Sequence, residues 1–389
     1  MEWVEARPTR VLVDLDAIAY NVKQLRSLVR DAEIMAVVKA DGYGHGAVPV
    51  ARTALEAGAT WLGVATVEEG MALRQAGITA PILVLGYVPP VQAGALVAAE
   101  IRPALWNMEL ARALSAKASA AGRRAPVHVK VDTGMGRVGV PPEEAVELVR
   151  QLSALPGIQV EGIFTHLAVA DEPEHPFTAR QLAAFQGVLD SLREAGFSIP
   201  LPHACNSAGM MLHPEAHYKL VRVGIALYGL PPNPEVTWPV HLRPALSWRT
   251  EVSMVKELPP GSPISYGCTY LTRGREKIAT LPVGYADGYS RLLSNKGEVL
   301  IHGRRCPVVG RVCMDQMMVR VPADLSVQPG DEVILIGEQE GERVTATDLA
   351  RLIGTINYEV VCGISKRVPR WYRKGDLLLE TEPACGTAL

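Results

Sequence analysis

Aromatic residues are scarce in this sequence: they fill 5% of its 389 positions, and only 4 are Phe. A large core must then be mainly aliphatic, as buried parallel sheets prefer. Charge of one sign is also lacking, since 39 Lys and Arg face 41 Asp and Glu for a net charge of −2. The basic bias of nucleic-acid-binding domains is absent, so no nucleic-acid partner is expected. No segment approaches the roughly 18 uncharged apolar residues of a membrane helix, and no membrane partner is expected. The opening MEWVEARPTR has two acidic residues and no apolar stretch, which argues against a secretory signal. The 6 Cys are widely spaced with no C-x-x-C pair. Reduced thiols, a cytoplasmic location and no bound metal are therefore expected.

What is present points to a globular enzyme or binding protein. Hydrophobic residues make up 48%, enough for a large core, and 35 Gly and 29 Pro supply many turns. At about 150 residues per domain the length allows two or three domains. From residue 17 to 230, short apolar runs alternate with amphipathic stretches. Strands are expected at Ile34–Val38, Trp61–Ala65, Ile82–Leu85, Ile101–Leu105, Val127–Val131, Ile158–Phe164, Leu201–Ala204 and Leu220–Val223. Helices are expected at Ala17–Val29, from Pro142 onward, and at Ala179–Leu192. This alternation predicts a parallel sheet, either closed or open and doubly wound; eight strands favour a (β/α)8 TIM-like barrel.

Four prolines in LPPNPEVTWP, residues 230–239, cannot continue a helix or a central strand. The expected domains are therefore a barrel over 16–240 and a mostly antiparallel β domain over 241–389, joined by the N-terminal strand at 10–15. In the β domain, strands are expected at Leu246–Val255, Lys277–Leu281, Glu298–Ile301, Pro307–Gly310, Met317–Val321 and Asp331–Ile336. One helix, Thr347–Ile353, is expected there, capped by Thr345 or Thr347.

Barrel chemistry lies at the C-terminal ends of strands. Lys39 occupies such an end in VVKADGYGHG. It reads either as a surface lysine or as one able to form a Schiff base. The three glycines after it admit close backbone approach, and Tyr43 adds a hydroxyl. In VKVDTGMGRVG, Arg137 can hold an anion, and Lys130 points inward, where it must be paired, neutralised or modified. His166 ends the sixth strand. Asn206 and Ser207 follow the seventh, and Arg222, Gly224 and Ile225 belong to or follow the eighth, where barrels often bind phosphate. An arginine between two valines needs a polar partner inside the barrel.

These segments, with FTHLAVADE, RVGIALYG, SYGCTY, VGYADGYS and GRVCMDQ in the same order, closely resemble the alanine racemases that use pyridoxal 5′-phosphate (PLP). The resemblance runs from Asp14 to Tyr358. It implies a β/α barrel, a C-terminal β domain and a homodimer with shared active sites. The substrate would be alanine, racemised to supply D-alanine for peptidoglycan. Lys39 would bind PLP and act as one base; Tyr266 of the other subunit would be the opposing base. Tyr43, Ser207, Tyr358, Gly224 and Ile225 would hold the phosphate, beside Asn206. Arg222 would face the pyridine nitrogen, with His166 bridging it to Tyr266. Arg137 and the Met314 backbone would bind the substrate carboxylate. Lys130 matches a position that is often carbamylated, and Asp171, Tyr285, Arg291, Arg311 and Tyr358 match an entry corridor. Two departures stand out: Asp41 replaces a common Asn, and Leu167 replaces a common aromatic. A related racemase of serine, a decarboxylase and a non-catalytic single-barrel protein are the competing readings.

Overall fold

A computed structural model of the chain describes residues 7–380. Residues 1–6, most of the acidic opening segment, and 381–389, the end of the expected β domain, lie outside them. The described residues form two compact units. One comprises Ala17–Gly42 and Gly46–Arg243; the other comprises the residues up to Asp16, Tyr43–His45 and those from Pro244 onward.

The first unit is a parallel barrel with helices between its strands. Its strands are Glu33–Val37, Trp61–Val64, Ile82–Val84, Ile101–Leu105, Ala125–Lys130, Ile158–Phe164, Leu201–His203 and Leu220–Val223. Each of the first six pairs in parallel with its successor, and the eighth pairs with the first. No ladder joins the seventh strand to the eighth. Backbone bonds Lys219 N–H to Pro202 O (3.1 Å) and Arg222 N–H to Cys205 O (3.0 Å) bridge that seam. Strands buried on both faces explain the continuous apolar runs. The helices start where local chemistry favours it. Thr66 and Glu69 form a capping box on Val67–Gln75, and Asn107 caps Met108–Ala120. The first helix is Leu15–Ser27, two residues ahead of the sequence expectation, and Phe177–Glu194 encloses the third expected helix.

The second unit is built on an eight-stranded sheet. Arg10–Asp14 pairs antiparallel with Leu246–Glu251 and parallel with Arg370–Lys374. A three-stranded antiparallel sheet joins Met254–Leu258, Glu276–Leu281 and Met317–Val321. The expected strand Leu246–Val255 is in fact two. The chain changes sheets at Val252, bonded to Asp331, and Ser253, bonded to Thr280. The expected strand Pro307–Gly310 is displaced to Arg304–Pro307. A turn with positive φ at His302 and Gly303 sets that register, so the strand begins at the exposed Arg304 and Arg305 and ends where the apolar run 307–310 starts. The helix Ala346–Ile353 carries a capping box from Thr345 and Asp348. Among the described residues, no helix is long and apolar enough to cross a membrane.

Candidate active site

Lys39 leaves the first barrel strand into an unusual backbone. Ala40, Asp41 and Gly42 all adopt left-handed conformations, with φ of 52°, 52° and 61°. Such a run costs about 1–2 kcal/mol per non-glycine residue, so other bonds must hold it. Ala40 N–H donates to Glu69 (2.7 Å), and Gly42 N–H to Val38 O (2.8 Å). Gly46 N–H donates to Asp41 O and Ala47 N–H to the Asp41 carboxylate, which starts the helix Ala47–Glu56. Beneath the turn, the buried Tyr228 hydroxyl donates to Val37 O (3.0 Å). Asp41 thus serves the backbone, and Asn, which also tolerates left-handed φ, could do the same. Leu167 is likewise structural: it is buried with Ala170 and Ala208 under Leu182 and Trp238.

Inside the barrel, Arg222 is only 3% exposed. It donates to Thr165 O (2.8 Å), Ala204 O (2.9 Å), His203 Nδ1 (2.9 Å) and His166 Nδ1 (3.3 Å). Burial pulls its pKa down to about 10, so it remains a cation at neutral pH. Lys130, also 3% exposed, donates to Val131 O (2.8 Å) and lies 5.3 Å from the centre of the Phe164 ring. Burial first, then the charge of Arg222, brings its amine down to about 7. The expected cost of a buried cation is therefore eased by partial loss of its proton near neutral pH. The imidazole of His166 is held well below its ordinary range by burial, then by Arg222, Arg137, Lys130 and Lys39. Five of the expected residues thus share one electropositive mouth.

The loop carrying Arg137 is tied down by Asp132, whose carboxylate accepts from Gly134 and Gly136 N–H. Gly134 has φ 132°, and a Cβ there would meet Phe177 at 2.6 Å. Ser207 Oγ accepts from Gly224 N–H (2.9 Å) and Ala226 N–H (3.4 Å), which ties Ser207 to the turn holding Gly224 and Ile225. Asn206 caps the helix Ser207–Leu212 through Gly209 N–H and donates to Leu167 O. Asp171 engages differently, its carbonyl accepting from Asn233.

The second unit assembles the remaining candidates. Tyr266 stands 72% exposed on a turn whose Ser265 hydroxyl donates to Arg311 O (2.6 Å). Tyr285 N–H and Ala286 N–H donate to Cys313 O and Met314 O (both 3.0 Å). Val312 N–H donates to Ser294 Oγ, beside the short helix Arg291–Leu293. One loop cluster therefore carries Tyr266, Arg291, Arg311, Met314 and Tyr285. Tyr43 packs beside Tyr358, with ring centres 6.2 Å apart, and burial pushes its phenol pKa up.

Comparison with known proteins decides the family. Residues 13–232 match the family described as alanine racemase, N-terminal domain, and residues 245–372 match alanine racemase, C-terminal domain. The chain belongs to the alanine racemase family. It is 61% identical over 366 residues to an alanine racemase of Symbiobacterium thermophilum, covering 94% of this chain and 97% of that one. A solved alanine racemase of Clostridium difficile superposes with a TM-score of 0.93 at 42% identity, covering 97% and 98% of the two chains. The Bacillus anthracis alanine racemase with bound L-Ala-P gives 0.92 at 41% identity, covering 97% of each. As a racemase, the chain is an isomerase with a barrel and an antiparallel β unit, and the expected fold is borne out.

Several groups behind the racemase site went unread in the sequence: Glu69, His128, Glu161 and His203. The available signal was parity. His128 lies two residues before Lys130 on one strand, so both face the same side. Polar residues at core positions of a buried strand need partners.

Proposed function

We propose that the chain interconverts L- and D-alanine with PLP bound in the first unit and Tyr266 supplied by a second copy. The observation that carries this reading is the convergence of Lys39, Lys130, Arg137 and Arg222 on His166. Such a cluster suits an anionic cofactor and a substrate carboxylate. The donor set also matches PLP group by group. Lys39 offers an amine for the aldehyde. The Ser207 hydroxyl with the Gly224 and Ile225 backbone offers a phosphate cradle, joined by Tyr43, Tyr358 and neighbouring Asn206. Arg222 offers a hydrogen-bond donor for the ring nitrogen.

PLP supplies an electron sink for the pair left at Cα when its proton departs. The protein does the rest. Lys39 anchors the cofactor and takes or returns the Cα proton on one face. One base cannot easily serve both faces, so Tyr266 of the second copy works on the other. Its exposure, with that of Met314 and Tyr285 on the same loops, is what a residue completed by a partner requires. Uncharged His166 links Arg222 to Tyr266. Arg222 keeps its own proton, which limits the spread of charge into the ring and with it transamination. Arg137 and the Met314 backbone orient the substrate carboxylate. A carbamate on Lys130 would give Arg137 an anionic partner. Asp171, Tyr285, Arg291, Arg311 and Tyr358 line the approach. The five described cysteines are free, which supports a reducing cytoplasm, where the D-alanine would feed peptidoglycan.

The test is chiral analysis of L-alanine incubated with the pure protein and PLP. Conversion to an equal mixture of enantiomers, abolished in Lys39→Ala, is expected. Unchanged L-alanine with cofactor bound would overturn the reading.

A further inference from the structure

Beneath Arg222, the barrel core holds a line of polar side chains with no part in the chemistry above. Arg222 Nη1 lies 2.9 Å from His203 Nδ1, and His203 Nε2 lies 2.8 Å from His128 Nδ1. His128 Nε2 lies 3.3 Å from Glu161 Oε2, and Arg102 Nε holds the same oxygen at 2.9 Å. Both histidines are fully buried. Their imidazoles are held below the ordinary range, foremost by burial, so both are neutral.

The two ends of this line give it a direction. Arg222 can only donate, so His203 Nδ1 must accept. A neutral His203 then carries its proton on Nε2 and donates to His128 Nδ1. His128 carries its proton on Nε2 and donates to the carboxylate. Burial alone acts to raise the Glu161 carboxyl, but hydrogen bonds from His128 and Arg102 outweigh it and keep it ionised. With no acceptor at position 161, Arg222 would still require a lone pair from His203, but the His128 Nε2 proton would lose its partner and nothing would hold the two rings in line.

The local structure is shaped to hold this line. The ladder between the fifth and sixth strands shifts register between Val127 and His128. Gly162, opposite, leaves space for the ring, since a Cβ there would run into His128 Nδ1. The His203 ring stacks on Phe164 with centres 4.7 Å apart and planes nearly parallel.

We infer that Glu161 is a positioning residue for the racemase reaction: through His128 and His203 it keeps a lone pair directed at Arg222 and so fixes the guanidinium's orientation and charge. The inference rests on Arg222 serving the cofactor ring, as proposed above. Nitrogen-15 NMR of the histidine rings in the holoenzyme reads the tautomers directly. The wild type should show Nε2–H on both His128 and His203. Glu161→Leu should shift the His128 Nε2 and His203 Nδ1 resonances as the rings lose their anchor, lower kcat about tenfold with KM within about twofold, and shift the absorbance of the bound cofactor. Should the apolar variant not fold, Glu161→Gln serves instead, because its amide oxygen can still accept from His128 without the charge and should give an intermediate effect. Unchanged ring-nitrogen resonances in either folded variant, or unchanged kcat, would overturn the inference. A wild type without racemase activity would instead defeat the function it rests on.

Discussion

A lysine amine near pKa 7 reacts unlike a surface lysine, because about half of it is neutral at physiological pH. Neutral Lys130 can attack carbon dioxide, forming a nitrogen–carbon bond and releasing one proton. Carbon-13 bicarbonate should therefore label the protein, more strongly as pH rises through 7, and the label should vanish in Lys130→Ala. Labelling that fell with rising pH would contradict the assignment. Asp41 makes a different residue-scale prediction. Asp41→Ala keeps a left-handed φ without a polar side chain and loses the bond to Ala47 N–H. It should cost about 1–2 kcal/mol, seen as a lower urea midpoint at unchanged slope. Asp41→Asn should stay within about 0.5 kcal/mol of the wild type. The sequence placed Asp41 near the site; only the backbone geometry explains why it is there.

At the scale of elements, the sixth barrel strand carries the sharpest prediction. Gly162→Ala would force a methyl group into the fully buried His128 ring. Overpacking of this kind costs about 1–3 kcal/mol, and the displaced ring should also disturb the line to Arg222. A melting temperature equal to the wild type's would contradict it. The barrel strands were legible because strands buried on both faces read as apolar runs, and each observed strand overlaps an expected one. The β unit was harder to read. Arg304 and Arg305 lie in an exposed hairpin set by turn geometry, and the sheet change at Val252 leaves no mark in hydrophobicity. Lys39, Arg137 and Arg222 were legible from glycine-rich strand ends and an out-of-place charge. The partners of Arg222 were not, because His203 and His128 are 75 positions apart in the chain and meet only once the barrel closes.

At the scale of the whole molecule, the proposed active site is divided between two chains. Lys39 sits in one compact unit and the exposed Tyr266 in the other, and the opposing base is assigned to a second copy. A single sequence cannot display that division, and the resemblance alone suggested it. Subunit mixing tests it most directly. Lys39→Ala and Tyr266→Ala chains, each carrying a different tag, are co-expressed and the doubly tagged dimer is purified. Such a dimer pairs the intact Lys39 of one chain with the intact Tyr266 of the other. The account predicts that it racemises alanine well above either parental variant, with up to half the wild-type sites restored. A doubly tagged dimer no more active than its parents would contradict a shared two-base site.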